Sequence, residues 1–322
     1  MKIVCLGDLH LLWDKPIARK DNAHEVQKKK FKFVLDWAGK NQAVIIQPGD
    51  FFDTARSWHL TSTYVKFLDD YYTNHKILDI YVVYGQHDTY MYSEKTRHAT
   101  GLGLLVANRL VHLLDDRGQA LNYKSVVWAY GASFGQPVPK VKENDDSKLN
   151  ILVIHKMIVD EKLWAGQEDY VYAEDFLDQY PNYDLIVCGD CHRRFAFEQD
   201  GRYIVNSGPL FRKEADLYNL TEAIPGFYVY DTGKRTLDWV GIPHGLPNDV
   251  LSRDHLDRQE RIDKAMEEFI NSMHLYEGEG EEEDDSAVVD FMGNLGVFIK
   301  ENKIGKGVID VLSSVMDEEI RS

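Results

Sequence analysis

An α/β (α+β) fold follows from this sequence: layered mixed β-sheets flanked by helices, plus a small C-terminal helical module. Three observations predict it. Short, β-branched apolar runs alternate with stretches of helical periodicity through the first part of the chain. Two pairs of alternating runs follow, each broken by turn residues. Beyond an acidic run, apolar side chains return at helical spacing.

In chain order, KIVCLG at 2–7 reads as a buried strand. A polar loop leads to a helical stretch from about 25 to 40, with Phe31, Val34, Leu35 and Ala38 on one face. AVIIQ at 43–47 is a second buried strand, 60–74 a helix, and ILDIYVVYG at 77–85 a third strand. GLGLLVAN at 101–108 begins another helix and SVVWAYG at 125–131 another strand. LNILVIH at 149–155 and DLIVCGD at 184–190 are again short, β-branched and apolar. The rhythm then changes. RFAFEQDGRYIVNSG alternates around Asp200-Gly201, and GFYVYDTGKRTLDWVGI repeats the pattern around Gly233. Both are hairpin signals, for antiparallel strands at a sheet edge or in a second sheet. Residues 249–275 are charged and helical in pattern. After the acidic run, Val288, Phe291, Met292, Leu295, Phe298 and Ile299 recur at helical spacing, as do Ile304, Val308, Val311, Leu312 and Val315. Two short amphipathic helices on an acidic tether suggest a docking module; the alternative is that they fold back on their own domain.

The 322 residues suffice for one large core, or a core plus a small module. No apolar run approaches the length of a membrane span, and the start reads as a strand and not a secretory signal. Three cysteines, an odd number, argue against a disulfide framework and for a reducing compartment, so cytoplasmic residence is expected. A net charge of −16 weighs against a nucleic-acid partner. However, residues 277–285 hold seven of the negatives, which leaves −9 for the rest. Two bound divalent ions would offset about four more.

The residues after each buried strand share a chemistry. The first run is followed by Asp8 and His10, the second by Gly49-Asp50, and the third by Gly85-Gln86-His87-Asp88. The run at 149 ends in His155, and the run at 184 in Gly189-Asp190-Cys191-His192. In an open α/β sheet the carboxyl ends of the strands form one rim, where ligands bind. In extended backbone, residues two apart point the same way, so Asp8 and His10, or Asp190 and His192, can grip one ion. A lone strand-end aspartate is usually a cap or turn residue. Five ligand-rich strand ends in order are far more specific.

VCGDCHRR at 187–194 contains a C-x-x-C, Cys188 and Cys191. No second pair stands at zinc-finger spacing, and redox pairs of this kind usually open a helix. Cys188 lies in an apolar run, where cysteine behaves as a small hydrophobe. Both cysteines therefore read as packing, and Asp190 and His192 as the working pair.

In this order the five elements resemble the calcineurin-like metallophosphoesterases, and among them the SbcD-type nucleases of double-strand-break repair and recombination. Short versions occur in tailed phages. GDLH, GDFFD, GQHD, His155 and GDCH stand for that family's five motifs, and NSGPLFRK with PGFYVYD resembles the segment after them. The resemblance covers roughly residues 1–242. It implies a nuclease domain at 1–243, a helical connector at 244–276 in place of a larger capping region, an acidic linker at 277–286, and a docking module at 287–322. That module would bind an SbcC-type coiled-coil ATPase. A homodimer and a DNA substrate are implied in the same way, and no membrane.

The resemblance also implies two Mn²⁺ ions, with Mg²⁺ as the alternative. Asp8, His10, Asp50 and His192 would hold one, and Asp50, Gln86, His155 and Asp190 the other, with Asp50 bridging. His87 would help the leaving oxygen depart. Two positions depart from the pattern: Gln86 stands where the family has Asn, and Asp190 where it has His. Both replacements are oxygen donors. Three carboxylates favour a hard ion and lower its Lewis acidity.

The implied chemistry is phosphodiester hydrolysis, exonucleolytic and endonucleolytic. Arg193, Arg194, Arg212 and Lys213 are candidate phosphate contacts, with surface solubility as the plainer reading. QKKKFK at 27–32 is either a DNA-facing patch or a solvated helix face. Two rivals stand beside the nuclease: a metallophosphatase of small nucleotides or phosphoproteins, and a non-catalytic scaffold whose metal site has decayed.

Overall fold

The computed structural model describes residues 1–56, 58–74, 79–121, 126–141, 149–164, 166–276 and 299. The chain divides into two units, Met1–Arg253 and Asp254–Ser322. In the first unit, β1 (Lys2–Cys5), α1 (Ala23–Asn41), β2 (Val44–Gln47), α2 (Trp58–Asn74) and β3 (Ile80–Val82) lead to α3 (Gly101–Ala107) and β4 (His112–Leu113). Then come β5 (Gln119–Ala120), β6 (Val127–Ala132), β7 (Leu149–His155), β8 (Ile158–Val159), β9 (Val171–Tyr172), α4 (Ala173–Gln179) and β10 (Leu185–Gly189). The unit closes with β11 (Phe195–Gln199), β12 (Arg202–Asn206), α5 (Leu217–Thr221), β13 (Gly226–Asp231), β14 (Thr236–Gly241) and α6 (Pro247–Val250).

Two mixed six-stranded sheets form, in the orders β14-β13-β1-β2-β3-β4 and β11-β12-β10-β7-β6-β5. β1 to β4 run parallel, as do β6, β7, β10 and β12. The two expected hairpins, β11–β12 and β13–β14, each sit at a sheet edge.

The apolar runs are continuous because each strand is covered on both faces. Ile3 and Cys5 of β1, Val44 and Ile46 of β2, and Ile151 and Val153 of β7 meet in the core between the sheets. The alternate residues Val4 and Ile45 pack under α1, α2 and α3 with Phe31, Leu35, Tyr64 and Leu102. Leu152 and Ile154 pack under α4 with Phe176 and Leu177. The result is helices, sheet, sheet, helix: the layered architecture that the sequence predicts. At the start of α1 the Asn22 side chain accepts from the Glu25 N–H at 3.1 Å, which caps the helix.

Two expected elements are shorter or divided. The third strand, expected over 77–85, is Ile80–Val82; Val83 and Tyr84 stay buried but belong to the loop. The charged segment at 249–275 divides into α6 and, in the second unit, α7 (Asp254–Tyr276). Pro247 sits in the first turn of α6, where its missing N–H costs nothing. The acidic linker at 277–286 and, apart from residue 299, the docking module at 287–322 lie outside the described residues. Among the described residues, no helix is long and apolar enough to cross a membrane.

Candidate metal centre

Five strands deliver residues at or just past their carboxyl ends to one place. Backbone bonds join the first two loops: the N–H groups of Leu9 and His10 both donate to the Asp50 carbonyl, at 3.1 and 2.9 Å. The Leu210 N–H donates to the Asp8 carbonyl at 3.2 Å, which brings in the segment after β12. Buried Gln27 of α1 donates to the His10 carbonyl at 2.8 Å and accepts from the Leu12 N–H at 3.1 Å. Asp88 joins the second and third loops. Its carboxylate accepts from the N–H groups of Phe51, Phe52 and Gly85, at 3.1, 3.1 and 3.0 Å.

The expected metal ligands lie at one rim: Asp8, His10 and His192 converge with Asp50 against His10, and the second set stands as two pairs, His155 with Asp50 and Gln86 with Asp190. In the first, His10 Nε2 lies 3.1 Å from His192 Nε2 and 3.7 Å from Asp50 Oδ2, and His192 Nε2 lies 3.6 Å from Asp8 Oδ2. In the second, His155 Nε2 lies 3.4 Å from Asp50 Oδ2, and Gln86 Nε2 donates to Asp190 Oδ1 at 2.7 Å. The Asp190 N–H donates to Asp8 Oδ2 at 3.0 Å, which ties the groups together. Three of these residues hold left-handed backbone: His10 (φ 42°), Asp50 (φ 51°) and Asp190 (φ 77°). Such conformations cost energy and concentrate where side chains must be aimed.

The donor set fits divalent ions. Asp8 Oδ1, Asp50 Oδ2, Gln86 Oε1 and His155 Nε2 are buried polar atoms that make no hydrogen bond. Leaving several such atoms unmade in one cluster is expensive unless a cation meets them. The imidazoles are set up for this. His155 Nδ1 donates to the Pro48 carbonyl at 2.7 Å, and His10 Nδ1 faces Asp53 Oδ1 at 3.2 Å. Each arrangement turns Nε2 toward the cluster, as in metal-bound histidines, where a bound ion would take the place of the Nε2 proton.

The charges agree. Burial lowers the pKa of His155, but Asp50, with Asp8 and Asp190, raises it to about 10. Burial pushes Asp8 well above the usual carboxylate range, against the pull of His155. For Asp50, burial is outweighed by His155, His10 and His87, which bring it to about 2. Positive charge is therefore what this cluster of carboxylates requires.

His87 is exposed beside this cluster. Its N–H donates to Asp50 Oδ1 at 2.8 Å, and its Nδ1 bonds to the Asp53 carbonyl at 2.8 Å. Sequence reasoning misses Asp53, although it is the last residue of GDFFD; it is also bound by Lys213 Nζ at 2.6 Å. Burial opposes its ionisation, but His10 and Lys213 hold its pKa at about 2. The bracing role of Asp88, the last residue of GQHD, is missed as well. In both cases the signal is an acid within a few positions of a ligand.

The four candidate phosphate contacts separate. Arg193 and Lys213 line a cleft of about 340 Å³ with His10, His192, Trp164 and Phe211. Arg194 stacks on Trp239, its guanidinium 4.4 Å from the ring centroid. Arg212 is not among the residues that line that cleft. It is buried, and its guanidinium donates to the carbonyls of Ala223 and Gly245. The basic patch at 27–32 is likewise not one solvated face, since Gln27 and Lys30 are buried. Cys5, Cys188 and Cys191 are buried and unpaired with one another.

Comparison with known proteins follows the same lines. The family model for calcineurin-like phosphoesterases matches residues 1–194. No curated protein matches the chain. Among solved structures, a novel archaeal phosphodiesterase shares 15% identity at a TM-score of 0.38, covering 75% of this chain and 100% of that one. Zinc-complexed Vps29 from Entamoeba histolytica shares 10% identity at a TM-score of 0.34, covering 75% and 99%. Vps29 from Chaetomium thermophilum shares 16% identity at 0.33, covering 75% and 97%. Likenesses at this level carry no functional argument. The family match spans the first four strand-end motifs and runs through Asp190 and His192 of the fifth, and on that ground the chain belongs to the calcineurin-like phosphoesterases, a family of metal-dependent hydrolases.

Proposed function

We propose that the chain is a metal-dependent DNA phosphodiesterase, the nuclease subunit of an SbcCD-like recombination and double-strand-break repair complex of the short, phage type. The observation that carries this reading is the pair of donor groups sharing Asp50, beside a cleft lined by Arg193, Lys213 and Trp164. Asp8, His10, Asp50 and His192 would hold one ion, and Asp50, Gln86, His155 and Asp190 the other, with Mn²⁺ expected and Mg²⁺ as the alternative. Bound there, such ions supply Lewis-acid polarisation of a phosphate and a water of lowered pKa.

The protein's own groups do the rest. Asp53 and the Pro48 carbonyl hold the rings of His10 and His155 in place. Among the described residues, the Arg193 guanidinium meets Glu161 at 3.8 Å and the Tyr218 ring, contacts loose enough to let it turn to a phosphate oxygen. Trp164 is 58% exposed and offers a face on which a base can stack. His87 Nδ1 donates to the Asp53 carbonyl, which aims the ring; as an imidazolium it would give its Nε2 proton to the departing sugar oxygen and be left neutral. The partner ATPase would dock on residues 287–322, and the nuclease domains would pair.

Cleavage of linear DNA in Mn²⁺, set against hydrolysis of a chromogenic phosphomonoester, tests the reading. DNA cleavage abolished by chelator is expected. Phosphomonoester hydrolysis without DNA cleavage would make the phosphatase reading the better one. His87→Ala should bind Mn²⁺ as the wild type does and turn over about 10²–10⁴-fold more slowly. Undiminished turnover would remove His87 from the reaction.

One observation favours the scaffold reading. Gln86 and Asp190, the two unusual ligands, hydrogen-bond to each other. A protein that binds no more than trace transition metal would support it.

A further inference from the structure

Away from the metal centre, three cations are buried around one cavity of about 380 Å³. Arg19, Lys30 and Arg212 are 4%, 5% and 5% exposed. Asp21 is the one carboxylate among the cavity's lining residues. It takes Nε and Nη2 of Arg19, at 2.9 and 2.5 Å. The remaining bonds go to carbonyls: Arg19 Nη1 to Arg212, Arg212 to Ala223 and Gly245, and Lys30 Nζ to Leu210 at 3.1 Å. Carbonyl oxygens satisfy N–H groups but cancel no charge. Arg19 and Lys30 also both approach the Phe211 ring, at 4.2 and 5.8 Å from its centroid. Burying basic side chains together disfavours their charged forms, and a bound anion would offset that cost.

We propose that this cavity is an anion site, separate from the metal centre, that takes a phosphate group. Arginine forks and a lysine point charge are the side chains that recognise phosphate. The cavity is larger than the ion, and Phe33, Ile242 and Pro243 line it with apolar surface suited to an organic portion. None of the seven candidate metal ligands lines it. The segment 210–213 serves both places: Leu210 and Arg212 meet Lys30 and Arg19, while Lys213 meets Asp53. The phosphate can come from a free ion or nucleotide, or from the end of a DNA strand.

Calorimetric titration of inorganic phosphate into the full chain, with chelator present, tests the site. Saturable binding at millimolar concentration is expected. It should weaken about tenfold in Lys30→Met and return in Lys30→Arg. A 5′-phosphorylated oligonucleotide that binds more tightly than inorganic phosphate, with the same dependence on Lys30, makes a DNA end the source. Weaker binding of the oligonucleotide makes a free phosphate the source. No saturable phosphate binding, or binding lost in Lys213→Ala but kept in Lys30→Met, overturns the proposal. A measurement on the wild-type chain removes dependence on the variants' folding: phosphate should shift the NMR signals of Arg19 and Lys30. Shifts confined to His10 and His192 would also overturn it.

Discussion

Asp88 holds three backbone N–H groups from two loops with one buried carboxylate. Asp88→Ala would leave all three without a partner, at a cost of about 3 kcal/mol or more. Asp88→Asn keeps one acceptor oxygen and should lose less. Urea denaturation of the metal-free chain measures this, and an unchanged midpoint for the alanine variant would contradict the bracing role. Lys30 makes a prediction of opposite character. Burial, with Arg19 and Arg212 outweighing Asp21, lowers its pKa from 10.5 to about 7. Between those values the unfolded chain holds a proton that the folded chain has lost. Stability from this group therefore rises with pH across that window. Lys30→Met has no such proton, so the wild type should gain on it between pH 7 and about 10. Parallel pH profiles for the two proteins would refute this.

At the scale of the element, the strand ends aim the ligands. Gly49 has φ 105°, and a Cβ there would lie 2.5 Å from His155 Nδ1, the atom bonded to the Pro48 carbonyl. Gly49→Ala should weaken Mn²⁺ binding by about 10–100-fold, as loss of a group that orients a ligand does. Titration calorimetry would show it, and unchanged affinity would mean that the loop tolerates the methyl. The strands that carry ligands are legible in the sequence because a strand covered on both faces is a continuous apolar run. The hairpins are legible from their turn residues. The short pairings β4, β5, β8 and β9 span two residues each, too few to show a period. Asp53 and Asp88 escape because bonds from a carboxylate to loop N–H groups or to a histidine ring follow no periodicity. Lys30 and Arg212 look like surface residues because charge in a sequence does not reveal which loop will close over it.

For the molecule as a whole, a chain of net charge −16 is proposed to act on a polyanion. The balance is local: cations are gathered at Arg19, Lys30 and Arg212 and beside the cleft at Arg193 and Lys213, while carboxylates converge where ions are expected. The layered sheets make that separation workable by holding the ends of β1, β2, β3, β7 and β10 in fixed register. The central claim is that these ends cage a pair of ions. Anomalous diffraction from crystals grown in Mn²⁺ tests it most directly. Two manganese peaks are expected, one touching Asp8, His10 and His192, the other His155, Gln86 and Asp190, with Asp50 touching both. Well-ordered crystals with no manganese on Asp8, His10, Asp50 or His192 would contradict it.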